Sequence, residues 1–223
     1  MNKENFIETY IEIETQTFVR SAKTNRLNEF INSIKSINFN LSLKETIECI
    51  NHLQQLKIAI RQPIFINVFY PTLTSEIEKN NIEAIKSLIQ LFDYYGNYQN
   101  LTDDIRFSIW KLLEQGLQIS PTDIELLRLY EEKQRDYFEY TLHELPTGVL
   151  YSADGATIEQ CEDLLNQVNK YKEVCEQLNV DNEELIANCK FYYSAYENYL
   201  SSYKNFNGFE DFLDKNRLKN NGT

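Results

Sequence analysis

Apolar residues recur along most of the chain at intervals of three and four positions, the spacing that places them on one face of a helix. The stretch from Ser42 onward shows this period most regularly. Six glycines and four prolines among 223 residues leave few of the turns that compact β-proteins and α/β nucleotide-binding folds need. The pattern therefore predicts an all-α protein with nine to ten helices, arranged in a single irregular bundle or in a short α-α superhelix.

Local sequence signals mark several helix ends. SLKE at residues 42–45 predicts a capping box, in which the serine and the glutamate satisfy each other's backbone N–H groups. Pro71 predicts a bend in its helix, because proline lacks the N–H and crowds the preceding turn. Gly116 predicts the end of one helix, and Ser120 with Pro121 predicts the start of the next.

The N-terminal stretch, residues 4–20, fits two patterns. It is rich in β-branched residues and alternates partly with period two, as a strand does. Yet Phe6, Tyr10, Ile13 and Thr17 also fall on one helical face. We favour a helix, because a single strand in an otherwise helical chain would have no partner.

Residues 145–156 interrupt the helical pattern. Pro146 stops the preceding helix, and Gly148 permits a turn that other residues resist. We predict an ordered, non-helical loop that carries no catalytic group. Leu150 or Tyr151 is expected to pack against the neighbouring helices, because an apolar cluster left in water would be unusual.

Charge is segregated along the chain, which has a formal net charge of −12. Residues 1–111 hold 13 acids and 12 bases, whereas residues 112–223 hold 21 acids and 10 bases. Such a surface makes DNA, RNA and anionic membranes poor partners, because contact would bring like charges together. We predict a single helical domain over residues 1–223, with a near-neutral and an acidic half and a disordered tail at residues 218–223.

The cysteines and the N-terminal sequence predict a cytoplasmic protein. MNKENFIETY has no apolar run of signal-peptide length, and no segment is long enough to span a membrane. Cys161, Cys175 and Cys189 are spaced fourteen apart, which raises the possibility of a metal or redox site. Each falls in an apolar helical stripe, however, and Cys49 lies on the flank of its helix. We therefore predict thiols that pack as small apolar side chains.

Histidine-based metal chemistry is disfavoured, because the chain has only His52 and His143. HELPTG, from His143, begins like a zinc-protease motif, but Pro146 and Gly148 break the helical turn that would bring a second histidine alongside. His143 instead suits a structural role near a helix C-terminus, where a cation is favoured. We predict neither a metal nor another cofactor.

Carboxylates are the main candidate functional groups. On the helices predicted at residues 120–144 and 157–178, acids lie opposite the apolar stripe, although solubility alone would also explain an acidic face. The following helix has more tyrosines than one face can bury, and exposed tyrosine suits protein contacts. The predicted partner-binding residues are Glu125, Glu132, Asp136, Glu139, Glu159, Glu162, Asp163, Glu173, Tyr193 and Tyr199.

Three functions fit these features. The favoured one is a non-catalytic module whose acidic helical face docks a basic protein, in the manner of bacterial immunity proteins or antitoxins that neutralise basic nuclease toxins; the analogy rests on composition. The first alternative is a helical-repeat scaffold or adaptor protein. The second is an all-α metal-dependent phosphohydrolase that uses paired acids, such as Asp103 with Asp104 or Glu131 with Glu132. Neither the partner's identity nor the oligomeric state follows from the sequence.

Overall fold

Ten helices make up the part of the chain that the computed structural model describes, residues 1–95, 107–145 and 157–216. No strand occurs within these ranges. The predicted all-α class and the predicted number of helices are therefore confirmed. The chain divides into two compact units, residues 1–121 and residues 122–223. The single domain expected over the whole chain stays a prediction.

The first unit contains seven α-helical segments, which are α1 (Lys3–Gln16), α2 (Arg20–Ser36), α3 (Leu43–Gln55), α4 (Gln62–Ile64), α5 (Tyr70–Ile77), α6 (Ile82–Tyr95) and α7 (Ile109–Ile119). A π-helical turn, Phe65–Phe69, joins α4 and α5 into one continuous helix. The ambiguous N-terminal stretch is helical, as predicted. Ser42 and Glu45 form the predicted capping box at the start of α3.

The π turn has a local cause in Pro71. Proline donates no hydrogen bond, and its ring crowds the carbonyl four residues earlier, which belongs to Asn67. The Tyr70 N–H donates instead to the Phe65 carbonyl, one residue further back than in an α-helix. The structure shows a wider helical turn immediately before Pro71, whereas the bend predicted there stays a prediction.

Aromatic side chains form much of the core of the first unit. The ring of Phe6 contacts those of Phe30, Phe39 and Phe69, with centroid distances of 5.7, 5.3 and 6.1 Å. The buried Tyr10 hydroxyl donates to the carbonyl of residue 59 at 2.6 Å and accepts from the N–H of residue 61 at 2.9 Å. The predicted inward face of α1 is thus confirmed, and it ties the helix to a segment about fifty residues away.

The second unit contains α8 (Ile124–Glu144), α9 (Ile158–Leu178), α10 (Glu183–Ser202) and α11 (Phe209–Lys215), with a 3-10 turn at Tyr203–Asn205. Helix α10 packs against α8, α9 and α11, and α8 also packs against α9. The core between them includes Phe138, Val168, Tyr171, Cys189, Tyr193 and Phe212. This packing leaves one side of α8 and one side of α9 in solvent.

Two helix boundaries differ from the predictions. Helix α8 is capped by Asp123, whose carboxylate accepts from the N–H groups of residues 125 and 126 at 3.0 Å. Ser120, the predicted cap, instead follows the end of α7 and donates its N–H to the Gly116 carbonyl. Gly116 itself is buried inside α7 rather than ending it. Asp123 is the stronger N-cap, because its carboxylate accepts hydrogen bonds from two N–H groups of the first turn.

The predicted loop and tail lie largely outside the described residues. Of residues 145–156, the structure describes Leu145 alone, which is buried. The expected packing of Leu150 or Tyr151 stays a prediction, as does disorder at residues 218–223. Among the described helices, none combines the length and the apolar character needed to cross a membrane.

Candidate functional site

The acidic face is our name for eight exposed carboxylates on two helices of the second unit. All eight are exposed, as the sequence pattern predicts. Residues 122–223 hold 20 acids and 10 bases, so the charge belongs mainly to this unit. The acidic face comprises Glu125, Glu132, Asp136 and Glu139 on α8, and Glu159, Glu162, Asp163 and Glu173 on α9.

The two helices that carry the acidic face run antiparallel. Gln134 Nε2 donates to Gln167 Oε1 at 3.2 Å, and the Tyr171 hydroxyl donates to Glu131 Oε1 at 3.0 Å. From the first pair to the second, the residue number falls from 134 to 131 on α8 and rises from 167 to 171 on α9. Continued along both helices, the register places residue 139 level with residue 163. Exposed carboxylates of both helices therefore occur at this level of the unit.

Bases on α8 compensate little of this charge. Lys133 Nζ lies 3.5 Å from Glu132 Oε1, and Arg135 Nε lies 4.0 Å from Asp136 Oδ1. Both carboxylates are exposed, and exposed pairs of this kind contribute about 0–1 kcal/mol. Glu139 has no cation within ion-pair distance among the described residues. Glu132 and Asp136 are therefore only weakly paired with these bases.

The first acids of α9 have a local structural role as well. Thr157 and Gln160 form a capping box at the start of this helix. A hydrogen bond from its own backbone N–H, together with one from the Thr157 hydroxyl, lowers the pKa of Glu159. Glu162 and Asp163 follow in the next turn, where the helix dipole still favours negative charge. Part of the acidic face thus also stabilises the first turns of α9.

The two tyrosines predicted as partner-binding residues lie in different environments. Tyr193 is only 1% exposed, and its hydroxyl is hydrogen-bonded to the Thr141 hydroxyl inside the core. Its assignment to a partner surface is therefore wrong. The buried residues of α10 include Ile186, Cys189 and Tyr193, so Tyr193 lies on the inward side of this helix. Tyr199 is half-buried and packs its ring against the aromatic cluster of α11.

A buried polar network on the same unit was not predicted. Glu131 is 8% exposed, and its Oε1 accepts from the Tyr171 hydroxyl at 3.0 Å and from Asn182 Nδ2 at 2.9 Å. Arg135 Nη1 adds a third donor to the same oxygen at 3.2 Å. Asn182 Nδ2 also donates to the Tyr171 hydroxyl at 2.8 Å. The network joins α8, α9 and the start of α10 through side chains that are far apart in the sequence.

An open pocket lies beside this network, at the turn between α9 and α10. Its volume is about 480 Å³. Asn182 and Cys175 belong both to the lining and to the network, since Asn182 Nδ2 lies 3.7 Å from the Cys175 sulfur. The turn itself is set by Asn179, which adopts a left-handed conformation at the end of α9. The pocket therefore lies at the turn that this residue forms.

The cysteines pack in the two cores, as predicted. All four are buried. Burial raises the pKa of Cys49 and of Cys161 to about 11, and that of Cys189 to about 12. Burial also raises the pKa of Cys175. Protonated, inaccessible thiols are poor nucleophiles and poor metal ligands.

The residues considered for metal chemistry do not converge. His143 is exposed in the last turn of α8, with Nδ1 3.3 Å from Glu144 Oε1, and His52 is exposed on α3. Glu131 is buried beside Arg135, whereas Glu132 is exposed, so this pair does not present two carboxylates to one ion. Among the described residues no three histidine, cysteine or acidic side chains form a group that could hold a metal. Asp103 and Asp104 lie outside the described residues.

Comparisons with protein-family models, with curated proteins and with solved structures find no match for this chain. The functional proposal is therefore based on the charge and geometry of the second unit.

Proposed function

We propose that the protein is a non-catalytic binding module whose acidic face docks a basic protein. One observation carries this proposal: eight exposed carboxylates stand on two antiparallel helices of a unit that holds 20 acids and only 10 bases. Tyr193 is not part of the docking surface, because it is buried. The remaining nine predicted residues form the proposed surface.

The physical argument rests on the spacing of the acids. Glu132 and Asp136 are four residues apart on one helix, an arrangement of like charges that costs about 0.2–0.5 kcal/mol. A basic partner removes this repulsion and gains attraction to several carboxylates at once. The same field attracts the partner at a distance and raises the association rate above that of neutral surfaces.

Inhibition of a basic toxin is the form of this function that we favour. A nuclease binds phosphate in a positively charged cleft, and a row of carboxylates can occupy that cleft in place of nucleic acid. Immunity proteins and antitoxins that neutralise such nucleases work without catalysis, metal or cofactor. The proposal places the protein in the cytoplasm, where its four cysteines remain thiols.

Charge reversal on α8 tests the proposal. The partner to be tried first is a basic protein encoded by a neighbouring gene. We expect replacement of Glu132, Asp136 and Glu139 by lysine to weaken its binding by about 100-fold or more, since three attractive contacts become repulsive. Circular dichroism should show an unchanged helix content, because all three side chains are exposed.

A matched control separates a local surface from general electrostatics. The control variant makes the same change of charge at three exposed acids of the first unit, Glu8, Glu29 and Glu114. Binding should then stay within about threefold of the unmodified protein. Equal losses in both variants would argue against a specific acidic face. Undiminished binding in the α8 variant would instead favour a scaffold or adaptor that uses another surface.

A further inference from the structure

We infer that the pocket at the turn between α9 and α10 receives an arginine side chain of the basic partner. This inference rests on the proposed function and adds a defined contact to it. The pocket lies on the same unit as the acidic face, but none of the eight acids of that face lines it. It therefore constitutes a second, separable point of attachment.

The charge of the lining selects a cation. Glu176, Asp181 and Glu183 line the pocket, and Lys172 is the lone base among its lining residues in the part of the chain described. Lys172 lies 3.7 Å from Glu176, and both side chains are more than half exposed, so this ion pair is weak. The C-terminal end of α9 adds the negative end of its dipole.

The positive end of α10, which begins at the same turn, is already compensated. Asp181 Oδ1 accepts from the Glu183 N–H at 3.2 Å, and Glu183 and Glu184 lie in the first turn of the helix. An anion in the pocket would therefore lie close to three carboxylates, and acidic side chains already compensate the positive end of α10. The net charge of the lining residues is therefore negative.

Asn182 gives the pocket a fixed polar group. Its Nδ2 is held by the Tyr171 hydroxyl and the Glu131 carboxylate, at 2.8 and 2.9 Å. These bonds hold the Asn182 side chain in one position within the lining. A side chain that is already ordered loses no further conformational freedom when a ligand binds beside it.

The apolar part of the lining fits the stem of a long side chain. Val180, Ile186 and Cys175 supply this part. Arginine packs its methylene groups on such surfaces while its head contacts carboxylates. Its planar guanidinium offers five donors in a fixed arrangement, which suits several acceptors on the rim better than the point charge of lysine.

The test is an NMR titration of the full chain with a hexa-arginine peptide as the probe. The amide signals of residues 179–186 report on the pocket, and those of α8 near Asp136 and Glu139 report on the acidic face. We expect both sets to shift, and the Asn182 side-chain amide to shift with the first set. Perturbation of the acidic face alone would overturn the pocket assignment and leave the proposed function standing. Absence of perturbation at either place would remove the electrostatic basis of both.

A pair of variants measures the contribution of the pocket. Glu176→Gln with Glu183→Gln neutralises two lining residues, and we expect it to weaken binding of the peptide by about threefold to tenfold. The control, Glu184→Gln with Glu210→Gln, neutralises two exposed acids that do not line the pocket. It should change the affinity by less than about twofold. Equal effects of the two variants would overturn the pocket assignment.

Discussion

Replacement of Tyr171 by phenylalanine removes a single oxygen from the centre of the buried network. The ring is fully buried, and its hydroxyl is both a donor to Glu131 Oε1 at 3.0 Å and an acceptor from Asn182 Nδ2 at 2.8 Å. Phenylalanine keeps the ring and its packing against Phe138, where the centroids lie 5.4 Å apart. The substitution therefore isolates the contribution of the hydroxyl.

The expected loss of stability depends on the hydrogen bonds that Glu131 and Asn182 keep in the variant. Glu131 keeps Arg135 and Asn182 as donors, at 3.2 and 2.9 Å, but loses one bond to a charged group in a buried place. Such a bond contributes about 1.5–3 kcal/mol. Asn182 still donates to Glu131, so the loss of its bond to the hydroxyl adds little. We expect Tyr171→Phe to lower the free energy of unfolding by about 2 kcal/mol.

The assay is urea unfolding of the full chain, followed by far-ultraviolet circular dichroism. Because the chain has two compact units, the transition that shifts is the one to be analysed. Tyr140→Phe is the matched control, since this tyrosine is exposed on α8 and should change stability by less than about 0.5 kcal/mol. A Tyr171→Phe protein as stable as the control would refute the assignment of this hydroxyl to the network.

Three further predictions concern buried groups of both units. The Thr46 hydroxyl is buried without a hydrogen-bond partner in the described structure, so Thr46→Val should stabilise the protein by about 1 kcal/mol in urea unfolding; a loss of stability would contradict this. The Glu14 carboxylate lies 3.2 Å from Lys23 Nζ and 3.0 Å from Arg61 Nη2, and its side chain is 7% exposed. Glu14→Gln should therefore lower the free energy of unfolding by about 1–2 kcal/mol. An unchanged urea midpoint would show that these ion pairs contribute nothing to stability. Ellman's reagent should leave all four cysteines unmodified in the native protein at about pH 8 and modify all four in urea, because burial raises the pKa of each thiol; rapid native modification would contradict the buried placement.

Features that depend on neighbouring residues could be predicted from the sequence. The capping box at Ser42 involves two residues three positions apart, and it forms as expected. The exposure of the eight acids of the acidic face follows from helical periodicity, because the opposite side of each helix is apolar. The irregular turn before Pro71 follows from the chemistry of proline.

Features that depend on distant residues could not be predicted in this way. Glu131 resembles its exposed neighbour Glu132 in sequence, but its partners Tyr171 and Asn182 lie 40 and 51 positions away. Tyr192 and Tyr193 are adjacent tyrosines, and the packing of α10 against α8 and α9 determines which of them is fully buried. The burial of Glu131 and Tyr193 is determined by tertiary contacts, which a local sequence pattern does not contain.

The rate of association with a basic protein, measured by stopped-flow at increasing ionic strength, tests most directly whether the acidic face is a docking surface. We predict a rate that falls at least tenfold between about 20 mM and 500 mM salt, with a much smaller change in the dissociation rate. The variant with lysine at positions 132, 136 and 139 should lose most of this dependence, whereas the control variant of the first unit should keep it. An association rate that does not change with salt in the unmodified protein would contradict the proposed function.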